Sequence, residues 1–295
     1  MKAALGLPLL VGDAEAGGCR RLRASNVDTP PLFTDLAGLD CALGSMAAGE
    51  LLCVAGPPAT GKTVVLLDLA ARICGRYDKN VVFWSAHQPS VYLVRKMALR
   101  GNTRVVFAED TVYVDDWERG VGESPAVVVV PSGNPTADRA HQLVNLLTAE
   151  HPCGCAALVM DGWSTTPQPR ENVEFVGGIP AFAAERWPHA QLSKTDIDQA
   201  KQFAQVNRVP VVLGVKTASL VDDEALAESL HLSMQARAAA DRWVTLHRPE
   251  LYLETAERTA VDRNVVCLSG TSSRWWDTRS SRLRFEPDRL QFKTV

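Results

Sequence analysis

The most constraining feature of the chain is an eight-residue segment between an apolar run and a helical pattern. The segment consists of Gly56, Pro57, Pro58, Ala59, Thr60, Gly61, Lys62 and Thr63, a complete G-x-x-x-x-G-K-T pattern. In this pattern the glycines let main-chain amides surround a β-phosphate, the lysine faces the β and γ oxygens, and the threonine hydroxyl completes a Mg²⁺ shell. Residues 51–55 predict a buried strand and residues 64–73 have helical apolar spacing. A coincidental glycine turn is the alternative, but this context favours a loop that binds ATP or a related nucleotide.

Length, composition and charge limit the class of protein. The 295 residues are 46% hydrophobic and 22% charged, which suits one large α/β domain, alone or with an arm. The net charge of −3 gives no global attraction for nucleic acid or membrane, so any DNA contact is local or shared around an oligomer. No stretch approaches the roughly 20 apolar residues of a membrane helix, and the seven cysteines form no paired framework. These features predict a soluble, cytoplasmic protein.

The chain divides into an N-terminal arm or linker, residues 1–33, and one domain, residues 34–295. The predicted strands of the domain are 51–55, 81–85, 126–130, 156–160 and 209–215, and the predicted helices are 64–73, 91–100, 138–150 and 194–205. This alternation is typical of a mostly parallel sheet with crossover helices. Short β-like segments at 243–246, 264–268, 282–285 and 290–292 predict an antiparallel extension of that sheet.

A second nucleotide element is predicted at Asp161, directly after the apolar run 156–160. Phosphoryl transfer needs a carboxylate that holds Mg²⁺ and projects from the end of a buried strand near the phosphate loop. An aspartate after a strand also serves as a turn residue or helix N-cap, and the sequence leaves that alternative open. The apolar run that ends in a single acidic residue favours the metal role.

Several short segments occur in a fixed order along the domain. They are Thr34 with Gly38-Leu39-Asp40, then Gly49-Glu50-Leu51, the phosphate loop, 81–88, Asp161, 207–212, Ala240-Asp241 with Arg248-Pro249-Glu250, and Arg274 before 282–285. Together they resemble the RecA-like ATPase domain of the DnaB-type replicative DNA helicases, over about residues 34–295 and without the family's primase-interacting N-terminal domain. The resemblance implies an α/β fold: a RecA-like P-loop NTPase with a mostly parallel central sheet and an antiparallel C-terminal β extension.

The resemblance also implies roles for individual residues. Lys62 and Thr63 bind the phosphates and Mg²⁺ of ATP, and Asp161 organises the metal. Arg274 falls on the arginine that reaches the nucleotide of a neighbouring subunit. It precedes 275–276, two tryptophans, so a cation–π contact within the subunit is the alternative.

Three positions depart from the family pattern and put hydrolysis in question. His87 replaces the glutamate that polarises the attacking water, Lys216 replaces a γ-phosphate-sensing glutamine, and Ser272 replaces a lysine. Imidazole accepts a proton near neutral pH, so His87 is a candidate base, although a strand-end histidine also serves as a local hydrogen-bonding group. Lys216 is either a second cation for the γ-phosphate or a solvated lysine.

The partners implied by the resemblance are further copies of the chain, in a hexameric ring, and single-stranded DNA in its channel. The candidate DNA loops are 165–178, with Arg170 and Asn172, and 217–231. The second loop contains Asp222, Asp223, Glu224 and Glu228, which repel phosphates. A partner protein from replication or a mobile element is a further expectation, since 187–189 lies in a long interval that is either a partner-binding insert or a surface loop.

Three functional hypotheses remain open. The first is an ATP-dependent DNA helicase or translocase that acts as a ring. The second is a helicase-like scaffold or regulator that binds ATP to assemble but does not hydrolyse it, which the missing glutamate and the acidic loop favour. The third is a RecA-like or KaiC-like ATPase in recombination or signalling, since the same fold allows it.

Overall fold

The computed structural model describes most of the predicted domain and two short segments before it. The described residues are 10–12, 19–21, 31–57, 60–85, 88, 90–98, 104–107, 124–130, 137–150, 152–162, 175–176, 179–180, 194–217, 237–248, 265–272, 278–286 and 291–295. The chain forms two compact units, residues 1–30 and 31–295. In the first unit, β1 (Leu10–Gly12) pairs antiparallel with β2 (Cys19–Arg21). The assignment of residues 1–33 as an arm stays a prediction.

The second unit alternates strands and helices along the chain. Its strands are β3 (Leu51–Gly56), β4 (Asn80–Ser85), β5 (Val105–Phe107), β6 (Val127–Val130), β7 (Cys155–Asp161), β8 (Phe175–Val176), β9 (Ile179–Pro180), β10 (Val211–Lys216), β11 (Arg242–His247), β12 (Val265–Ser272), β13 (Thr278–Glu286) and β14 (Gln291–Thr294). Its helices are α1 (Ala37–Leu43), α2 (Lys62–Tyr77), α3 (Ser90–Ala98), α4 (Ala137–Glu150) and α5 (Lys194–Asn207). In the described part of the chain, no helix has the length and apolarity to cross a membrane.

Ten of the described strands form one sheet in the order β14-β13-β12-β11-β3-β10-β7-β4-β6-β5. The seven strands from β11 to β5 are parallel to one another, and β12, β13 and β14 continue the sheet antiparallel. The predicted α/β architecture is therefore confirmed. One detail is wrong: segment 243–246 lies in β11, which runs parallel to β3, so the antiparallel extension begins at β12 and not at β11. Strand β5 was not predicted, because three residues are too short for a periodic signal.

The sheet is buried on both faces, which explains the continuous apolar runs of its central strands. Alternate residues of β3 pack into two different clusters: Leu52 and Val54 on one face, and Leu51, Cys53 and Ala55 on the other. Residues of α1, α2 and α3 cover the first face, and residues of α4 and α5 cover the second. Because helices cover both faces, the ends of the strands are where this sheet can build a site.

Helix α2 is attached to the last strand of the sheet by a charge pair between a buried aspartate and a half-buried arginine. The Asp68 carboxylate accepts a hydrogen bond from the Phe292 amide at 3.2 Å, and the Arg72 guanidinium donates to the Phe292 carbonyl at 3.0 Å. Asp68 and Arg72 also pair with each other at 3.1 Å. Because both backbone groups of one β14 residue are satisfied from α2, this helix is held at a defined position over the sheet.

Candidate nucleotide-binding site

Parallel strands bring four chain segments to one edge of the sheet. Gly56 at the end of β3 lies opposite Lys216 at the end of β10, and Ser85 at the end of β4 lies opposite Asp161 at the end of β7. Since β10 lies between β3 and β7 in the sheet, the four strand ends are neighbours. The carboxyl edge of a parallel sheet is where α/β proteins place their ligands.

The loop between β3 and α2 has the backbone that its glycines predict. Gly61 has a φ of 91°, in the left-handed region that glycine adopts without strain, and it immediately precedes the first turn of α2. At Gly56 an added Cβ would lie 2.9 Å from the Thr60 hydroxyl and 3.0 Å from the Leu246 carbonyl oxygen, so a side chain has no room there. The Thr60 hydroxyl also donates to the Pro57 carbonyl at 2.8 Å. Helix α2 thus begins directly after the loop at this sheet edge, and the free amides of a helix N-terminus attract anions.

Lys62 is held at the mouth of this loop. Its ammonium donates hydrogen bonds to the carbonyl oxygens of Gly56 and Pro57, both at 2.7 Å. Burial lowers the pKa of Lys62 to about 8, the charge of Asp161 opposes this shift, and the charge of Lys216 adds to it. The site therefore holds a cation whose charge an anionic ligand would stabilise.

This pKa predicts a proton uptake on nucleotide binding. At pH 8 about half of the free sites have an uncharged Lys62, whereas phosphate oxygens favour the ammonium form. Binding of ADP in EDTA should therefore take up about half a proton at pH 8, and its affinity should fall about fivefold between pH 8 and pH 9. Calorimetry in two buffers of different ionisation enthalpy measures this uptake. Lys62→Arg stays charged and should abolish it; equal binding heats in both buffers for the wild type would contradict the prediction.

Asp161 and Thr63 are brought together as the sequence predicts. The Thr63 hydroxyl donates to Asp161 Oδ2 at 2.7 Å, and the Ser85 hydroxyl donates to the same oxygen at 3.2 Å. Asp161 is buried, with 5% of its surface exposed. A hydroxyl and a carboxylate beside a phosphate loop fit Mg²⁺, which prefers oxygen ligands and keeps several waters and phosphate oxygens in its shell. Among the described residues, no group of three or more His, Cys, Asp or Glu side chains forms a closed metal site instead.

Two residues of this edge were missed by sequence reasoning, Ser85 and Gly214. An added Cβ at Gly214 would lie 2.8 Å from Leu66 Cδ1 and 3.2 Å from Asp161 Oδ1. The Asp161 carboxylate and the α2 side chain therefore occupy the space that a side chain on β10 would need. An isolated glycine within an apolar strand is the available signal for such a close approach.

Of the remaining predicted catalytic residues, Lys216, His87 and Arg274, the structure describes only Lys216. Lys216 ends β10 beside the loop, burial lowers its pKa, and the following amide, of Thr217, donates to the Gly56 carbonyl at 3.1 Å. His87 and Arg274 lie outside the described residues, as do Pro58 and Ala59 of the loop. The roles of all these residues stay predictions.

The chain has the RecA-like α/β fold, with the phosphate-loop pattern between β3 and α2, and two solved structures share this fold. A DnaB-like replicative helicase, solved to describe its interactions with primase, matches with a TM-score of 0.61 and 14% identity over 89% of this chain and 61% of that chain. A second solved structure, of an ATPase domain, matches with a TM-score of 0.57 and 15% identity over 84% of this chain and 86% of that chain. No family model and no curated protein matches the sequence.

These comparisons confirm the resemblance to DnaB-type helicases at the level of the fold. The chain spans less than two thirds of the DnaB-like helicase that it matches. At 14 and 15% identity the likeness shows a shared fold, which is that of a helicase ATPase domain.

Proposed function

We propose that the chain is an ATP-dependent DNA helicase or translocase that works as a ring of identical subunits. One observation carries the nucleotide part of this proposal: Thr63 Oγ1 lies 2.7 Å from Asp161 Oδ2, beside Lys62, at the carboxyl edge of a parallel sheet. The ring assembly and the DNA substrate are proposed because the chain shares its fold with a DnaB-like replicative helicase. The protein is further proposed to be cytoplasmic and to meet a partner from replication or a mobile element.

The described residues divide the work of binding MgATP. Residues 60–63 offer main-chain amides to the phosphates, and Lys62 offers a positive charge toward the β and γ oxygens. Thr63 and Asp161 hold Mg²⁺, which neutralises charge on the phosphates. Lys216 places a second cation at the same edge, next to the γ-phosphate position.

Turnover requires two residues from outside the described part of the chain. His87, between Ser85 and Gln88 in sequence, accepts a proton from the attacking water. Arg274 of a neighbouring subunit stabilises the charge that develops on the phosphoryl group. In this proposal the loops at 165–178 and 217–231 hold the DNA backbone in the channel, mainly through backbone amides and a few basic or polar side chains.

A second function is favoured by the position of Lys216. The ammonium groups of Lys62 and Lys216 would bind a triphosphate tightly at this edge. The histidine at position 87, where the family has a glutamate, would not supply a strong base. Such a protein is a scaffold or regulator that assembles on ATP and does not turn it over.

The test is ATP turnover by the purified chain with and without single-stranded DNA. The helicase proposal expects DNA to stimulate turnover and His87→Ala to reduce it by about 100-fold, the usual contribution of a general base, with ATP affinity unchanged. His151→Ala, a histidine that follows α4 in sequence, is the matched control and should keep full turnover. Tight ATP binding with background turnover that His87→Ala leaves unchanged would support the scaffold instead.

A further inference from the structure

The hydroxyl of Ser85 joins two parts of the site that are distant in sequence. Ser85 is fully buried, at 0% exposure, as the last residue of β4. Its hydroxyl donates to Asp161 Oδ2 at 3.2 Å and accepts a hydrogen bond from the Gln88 amide at 3.1 Å. We propose that Ser85 is a positioning residue that orients the Asp161 carboxylate for Mg²⁺ and thereby sets the metal affinity of the site; this inference rests on the proposed binding of MgATP.

The carboxylate needs such a partner because its own torsion is soft. The terminal torsion of an aspartate side chain is broad, so neighbouring groups decide where the two oxygens point. Thr63 and Ser85 both donate to Oδ2, while Oδ1 faces Gly214 of β10, where an added Cβ would lie 3.2 Å from it. When Thr63 turns its oxygen to a metal ion, Ser85 is the described donor that still holds the carboxylate in place.

The same hydroxyl also links the carboxylate to the turn after β4. The Gln88 amide binds the Ser85 oxygen, so one buried group uses its donor and its acceptor to connect Asp161 with the segment that contains His87 in sequence. Partners that orient metal ligands in this way typically change metal affinity by 10- to 100-fold when they are removed. Alanine at position 85 deletes both hydrogen bonds at a site that water does not reach.

The experiment measures how much Mg²⁺ the protein needs to bind nucleotide. Binding of a fluorescent, non-hydrolysable ATP analogue is titrated at a series of free Mg²⁺ concentrations, and again in EDTA. Ser85→Ala should raise the Mg²⁺ concentration for half-maximal binding by about 10-fold and change the affinity in EDTA by less than about twofold. Ser85→Cys keeps the side-chain shape with a larger terminal atom and donates weakly, so it should give an intermediate value. It also serves as the test if Ser85→Ala does not fold.

Thr34 offers a matched control for the loss of a buried hydroxyl. Its hydroxyl donates to Asp40 at 2.7 Å and accepts from the Leu36 amide at 3.3 Å, and Thr34 is also 0% exposed. Thr34→Val should lower stability without changing the Mg²⁺ requirement. A wild-type Mg²⁺ requirement in folded Ser85→Ala or Ser85→Cys would overturn the role of Ser85 alone. Failure of the wild type to bind nucleotide at all would overturn the proposed function and this inference with it.

Discussion

Lys62→Ala is expected to weaken binding of ATP by about 100-fold and to abolish turnover. The Lys62 ammonium lies 2.7 Å from two carbonyl oxygens of the phosphate loop, so its charge stands where the phosphates are proposed to bind. Loss of hydrogen bonds to a charged group costs up to about 3 kcal/mol, which corresponds to about a 100-fold change in affinity. Calorimetric titration with ATP, ADP and AMP measures the effect. Because the lysine is proposed to bind the β and γ phosphates, the affinity for AMP should change little.

Lys293, which lies away from the phosphate loop in the sequence, provides the control for Lys62→Ala. Lys293 on β14 is exposed and pairs with Glu286 at 2.5 Å, so Lys293→Ala should leave nucleotide affinity at the wild-type value. Wild-type ATP affinity in folded Lys62→Ala would mean that Lys62 does not contact the phosphates. The assignment of this loop as the nucleotide site would then be wrong, whatever the fold.

The parts of the fold that were predictable are those whose signal is local. Strands β3 and β7 are continuous apolar runs because helices cover both faces of the sheet. Their burial is therefore predictable from the local sequence. The loop glycine with a φ of 91° is likewise a local requirement of the backbone. The direction of β11 is not local, because parallel or antiparallel pairing depends on which strand lies beside it, and that strand is β3.

The same distinction between local and non-local sequence signals applies to the site. The contact between Thr63 and Asp161 joins residues 98 positions apart, and it was predictable because both belong to elements with a known spatial relation. Ser85 and Gly214 gain their positions only because β4 and β10 flank β7 in the sheet. Strand order is decided by the packing of the whole domain, so the sequence around either residue does not predict which strands are neighbours.

Arg274→Ala is expected to reduce ATP turnover by about 1,000-fold, the lower end of the effect of an arginine supplied by a neighbouring subunit. Nucleotide affinity should stay near the wild-type value, because the arginine acts on charge that develops during the reaction. The measurement is steady-state turnover beside equilibrium binding of a non-hydrolysable analogue. Arg282→Ala is the control, since Arg282 is an exposed arginine of β13.

Mixing two inactive variants decides whether Arg274 acts across an interface. In a ring with head-to-tail contacts, each site takes Lys62 from one subunit and Arg274 from the next. In an equal mixture of Lys62→Ala and Arg274→Ala, random assembly places an intact Lys62 beside an intact Arg274 at about one quarter of the interfaces. Turnover should then recover to about one quarter of the wild-type value if sites act independently.

The alternative role of Arg274 gives the opposite result. If Arg274 packs over one of the tryptophans at 275–276 in its own subunit, every subunit of the mixture lacks an intact site and turnover stays at background. Mixed assembly has to be verified independently, by co-purification of subunits that carry two different tags. Background turnover in verified mixed oligomers would exclude the trans role, and with it the reason why hydrolysis should require a ring.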